Sequence, residues 1–119
     1  MNEEQNIDLN NRFIAVRKVW FEWMDAGLGT LNSFVVDFQF FCIELELLDQ
    51  MKEAFEAQNY SFHYTEVRSE LDEIGYEVIV GVRKNWILKD LLQHYQLFYE
   101  FAHENEFDFE GCGAVFKQI

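Results

Sequence analysis

The chain has 119 residues, with 22 acids against 9 bases and a formal charge of −13. Half of it is hydrophobic and 18% is aromatic, which argues against disorder and supplies core material for one domain spanning 1–119. So acidic a chain is disfavoured from binding nucleic acid or an anionic membrane, because both contacts rest on Lys and Arg.

The same charge keeps an aromatic-rich protein in solution, or draws in a basic protein partner. Cys42 and Cys112 stand far apart and form neither a disulfide framework nor a metal motif. The start, Met1 to Asn6, is polar and acidic, unlike a secretion signal, and no apolar run approaches the ~20 residues of a membrane helix. These features predict a soluble protein in a reducing, cytoplasmic setting.

Residues 1–10 are polar and predicted to fray, with Asn10 or Asn11 capping a helix that runs to about Ala26. Phe13, Val16, Trp20, Trp23 and Met24 form its apolar stripe, and Gly27 is its stop signal. Leu28 to Asn32 reads as a loop. Ser33 to Cys42 alternates as a strand, with Phe34, Val36, Phe38, Phe40 and Cys42 on one face.

Glu44 to Gln58 switches to helical period, with Leu47, Leu48, Met51, Ala54 and Phe55 facing inward. Tyr60 to Val67 is strand-like. Glu66 to Gly75 reads as a hairpin loop carrying Glu66, Glu70, Asp72 and Glu73. Gly75 to Lys84 is the third strand, through Tyr76, Val78, Val80 and Val82. A helix from Lys89 to about Glu104 presents Leu91, Leu92, Tyr95, Phe98, Tyr99 and Ala102.

The stretch from Glu104 to Phe116 closes the series. Glu104, Glu106, Asp108 and Glu110 occupy alternate positions around Phe107 and Phe109, so a strand here is acidic on one face and aromatic on the other. Gly111 and Gly113 then break the alternation, as at a bulge or where another backbone approaches closely. The order is a helix followed by β-α-β-β-α-β. It predicts an α+β, ferredoxin-like sandwich: a four-stranded antiparallel sheet with two helices on one face, plus the N-terminal helix. The expected core is Phe34, Val36, Phe38, Phe40, Leu48, Met51, Phe55, Val78, Val80, Leu92, Tyr95 and Phe98.

No residue pattern calls for a catalytic centre, cofactor or metal. Glu100-x-x-His103 supplies one of the two Glu-x-x-His motifs that a carboxylate-bridged di-iron site needs. Cys112 between glycines lacks an obvious base to activate it, though His63 or His94 could serve if folded nearby. Arg83, Lys84, Trp86 and Lys89 form a basic-aromatic cluster too small for a nucleic-acid footprint.

The chain resembles the regulator of ribonuclease E activity B family of small bacterial proteins. The likeness rests on Met24-Asp25-Ala26-Gly27 ending the first helix, on Asn59-Tyr60 after the second, and on Gly75-Tyr76-Glu77-Val78. It rests also on Phe107-Asp108-Phe109-Glu110-Gly111-Cys112-Gly113, where Cys112 replaces the aromatic residue expected between the glycines. The resemblance implies a non-catalytic inhibitor that binds a ribonuclease of the E type and alters RNA turnover.

The expected contact surface is acidic, built from Glu66, Glu70, Asp72, Glu73, Glu104, Glu106, Asp108 and Glu110 within the runs 66–77 and 104–110. The aromatic face of the first helix, Trp20, Phe21 and Trp23, is the second place to look. The alternatives are an immunity-type protein neutralising a basic toxin nuclease, or a small enzyme dependent on a metal or thiol.

Overall fold

A capping box starts the first helix in the computed structural model, which describes residues 2–114: the Asn2 side chain accepts from the Gln5 amide, and Gln5 Oε1 accepts from the Asn2 amide. Helix α1 therefore spans Glu3–Asp25, and residues 3–10 are helical where fraying was expected. Tertiary contacts explain the difference. Leu9 is buried, and Asp8 accepts a 2.7 Å hydrogen bond from the Tyr99 hydroxyl. Asn10 and Asn11 are poor helix formers, but each costs only ~0.7 kcal/mol, so anchored neighbours carry the helix through them. Gly27 ends it in the left-handed region, φ 96°, as predicted.

A 3-10 turn at Leu28–Thr30 leads into strand β1, Phe34–Cys42. Helix α2 is Leu45–Glu56, β2 is Ser61–Arg68, β3 is Ile74–Lys84, α3 is Leu88–Glu104 and β4 is Asp108–Ala114. The strands form one antiparallel sheet in the order β2-β3-β1-β4. The expected α+β class and four-stranded antiparallel sheet are present, with three helices.

Alternation along β1 sorts the two faces. Phe34, Val36, Phe38, Phe40 and Cys42 are buried, and on β3 so are Val78, Val80 and Val82. Phe40 meets Phe55 of α2 at 5.6 Å and Phe98 of α3 at 5.8 Å between ring centres, so both helices lie on that face. Trp20 and Trp23 of α1 pack on Phe34 at the same side. The opposite face carries Ser61, His63, Thr65, Glu77, Gln39 and Asp108, all exposed.

Eleven of the twelve expected core residues are buried; Leu92 is half-buried and the fully buried neighbour is Leu91. Ala54, read as inward, is exposed. Among the described residues, no helix is long and apolar enough to cross a membrane.

The C-terminal stretch differs most from its reading. Glu104 ends α3, and Glu106 sits in the connection with φ 62°, so only Asp108 and Glu110 of the four alternating acids lie on the strand. A backbone carbonyl decides this. Ala102 accepts from the Phe107 amide at 2.9 Å, closing the helix end and delaying the strand. Val115 and Phe116 lie outside the described residues.

Candidate binding surface

The eight candidate acids fall in two sets: Glu66, Glu70, Asp72 and Glu73 on β2 and the turn after it, and Asp108 and Glu110 on β4 at the opposite edge, with Glu104 and Glu106 just before it in the chain. Glu66 belongs to β2, opposite Tyr76, and not to the loop; it therefore points to the helix-bearing side of the sheet. The turn itself is shorter than predicted. Ser69 donates its amide to Glu73 O at 2.9 Å, while its hydroxyl accepts from the Leu71 and Glu73 amides. Asp72, at φ 62°, pairs with Arg68 at 2.9 Å, and both side chains are largely exposed. Glu70 and Glu73 are exposed. Across the sheet, β4 lies three strand spacings away, roughly 14 Å.

The two sets share one end of the sheet, and Glu77 stands between them. Thr65, Glu77, Phe41 and Asp108 are successive partners across all four strands. They project from the face opposite the helices. Glu110 joins them at a bulge: Gln39 faces Gly111 while Phe40 faces Phe109, so Glu110 is the extra residue. Gly111 makes this possible at φ 135°, a conformation that side chains resist. Of the two expected interruptions by glycine, the one at Gly111 is a bulge, whereas Gly113 pairs in regular register with Asp37.

Burial raises the Glu110 carboxyl above its ordinary value, and the charges of Glu77 and Asp108 raise it further. Glu110 therefore feels both neighbouring acids. Asp37, two rows along from Glu77 and Asp108 on the same face, is also raised, by burial first and with His63 pulling the other way. Its neighbours on either side are Gly81 and Gly113; the Ser61 hydroxyl and the Asp37 carboxylate fill the space over Gly81, while that over Gly113 is open. The hydrophobic alternation of β1 said nothing of this. Glu77 closes the acid-rich run 66–77 from β3 and is not among the eight candidates.

The other motifs are absorbed structurally. Trp86 donates its indole N–H to Phe34 O at 3.0 Å, Arg83 donates to Ser33 Oγ, and Lys84 pairs with Asp90 at 3.3 Å. His103 contacts Gln5 through Nδ1 and lies over Tyr99, while Glu100 accepts from Gln96. No group of three or more His, Cys, Asp or Glu is placed to hold a metal among the described residues.

Both cysteines are free. Cys112 faces Phe38 and Cys42 ends β1 four residues on, roughly 13 Å along the strand, too far to bridge. Burial pushes the Cys112 thiol up to about 12, so thiolate is scarce at neutral pH. It lines a groove of about 300 Å³ between α1 and β4, with Arg12, Val16 and Tyr95. Of the aromatic trio on α1, Trp20 and Trp23 are buried and Phe21 alone stays exposed.

No known protein-family model matches the chain, and no curated protein matches it either.

Proposed function

We propose that the chain is a non-catalytic protein-binding regulator whose open, acidic sheet face receives a basic protein, with a ribonuclease of the E type as the partner it inhibits. The observation that carries the reading is the convergence of Glu77, Asp108 and Glu110 on the face the helices leave free, close enough to raise the Glu110 carboxyl. Like charges gathered there repel in the free chain, and an Arg or Lys of a partner relieves that repulsion.

The architecture of this reading is ferredoxin-like. It is supported by two helical crossovers that each pass over one strand, β1 to β2 across β3 and β3 to β4 across β1. A cytoplasmic setting is supported by the two free cysteines.

The test is direct binding of purified ribonuclease E, together with its cleavage of a single-stranded RNA. The reading predicts a complex that weakens as salt rises and slower cleavage when it forms. No complex at low salt, with cleavage unchanged, contradicts it.

A further inference from the structure

The two edges of the sheet are treated differently. At the β4 edge, Arg12 of α1 donates to Phe109 O at 2.7 Å, and the bulge at Glu110 bends the strand. At the β2 edge there is no such protection. The eight residues Ser61–Arg68 pair with β3 in an unbroken register, without Pro, Lys or bulge.

The orientation of the amides follows from the turn. Ser69 donates to Glu73 O, so that pair is hydrogen-bonded, and alternation makes Val67, Thr65, His63 and Ser61 the bonded positions toward β3. The N–H and C=O groups of Phe62, Tyr64, Glu66 and Arg68 therefore point to the free edge. None of these groups has a hydrogen-bond partner among the described residues.

We propose that this edge is a self-association surface, on which β2 of a second copy pairs antiparallel about a two-fold axis at Thr65. In that register Tyr64 faces Glu66 of the other copy, and Phe62 faces its Arg68. All four edge-directed residues are then paired, and no like charges stand directly opposite. The strand suits its own copy because it carries one acid and one base in a molecule of charge −13. Tyr64, 51% exposed, becomes covered. The pairing keeps each side chain on its own face, so the two acidic faces lie on the same side of one eight-stranded sheet.

This inference does not depend on the identity of the basic partner, and salt separates the two. Self-association works against the net charge and strengthens with salt, whereas the basic partner is released by it. Sedimentation equilibrium of the full chain across concentration, at low and high salt, reads the dimer.

Tyr64→Pro removes two edge hydrogen bonds per dimer and should raise the dissociation constant roughly tenfold or more. Thr65→Lys places two like charges on the axis and should weaken the dimer while the exposed site leaves the unfolding midpoint unchanged. If Tyr64→Pro fails to fold, Thr65→Lys decides alone. A wild-type chain that stays monomeric at every concentration, or a dimer that Thr65→Lys leaves intact, overturns the proposal.

Discussion

Phe38 shows how much one side chain carries. It is fully buried and meets Phe98 at 4.5 Å, Trp86 at 6.2 Å and Phe109 at 6.4 Å between ring centres. Truncation to Ala removes the ring from between α3, β4 and the connection that carries Trp86, and leaves a cavity. The expected cost is ~3–5 kcal/mol, read from denaturant midpoints at constant slope. Glu110 and Asp37 act through protons instead. Both carboxyls are raised in the fold, chiefly by burial, so the folded chain holds more protons than the unfolded one just above the ordinary carboxylate range. Stability should therefore fall as pH rises through that window; the penalty is absent below the ordinary value and complete above the raised one. Glu110→Gln with Asp37→Asn should flatten that fall in denaturant midpoints across pH. An unchanged slope would mean that other groups set it.

The bulge in β4 is a feature of an element and rests on one residue. Gly111→Ala places a side chain at φ 135°, where the expected strain is ~1–3 kcal/mol even though the added carbon meets only the Tyr95 hydroxyl, in ordinary contact at 3.9 Å. A loss of stability in thermal melts, with the helical signal retained, would fit; no loss would mean that the strand re-registers. Strands and helices with strong periodicity were legible. The inward face of β1 and the stripe of α3 followed from the spacing of Phe34 to Cys42 and Leu91 to Ala102. What escaped was set by contacts distant in sequence. The start of α1 depends on Tyr99, some ninety residues away, and the start of β4 depends on a helix-end carbonyl. Acids in strict alternation looked like a strand, but Glu104 and Glu106 spend that alternation on a helix end and a left-handed turn. Glu77 and Asp37 gained meaning only from their neighbours across the sheet.

For the whole molecule, charge and topology act together. Three helices cover one face of the sheet, and the other presents Glu77, Asp108 and Glu110 in a chain of charge −13. Such a field should speed encounter with a basic protein at low salt, and exposed charges beyond about 8 Å are screened at physiological ionic strength. Glu77→Lys with Asp108→Lys tests the face most directly, since both side chains are exposed and the core is untouched. The measurement is the association rate with ribonuclease E as a function of salt, for the wild type and this double variant, with melting temperatures taken in parallel. The account predicts an equally stable variant that associates more slowly at low salt and responds less steeply to added salt. A folded variant that associates as fast as the wild type, with the same salt dependence, would contradict it.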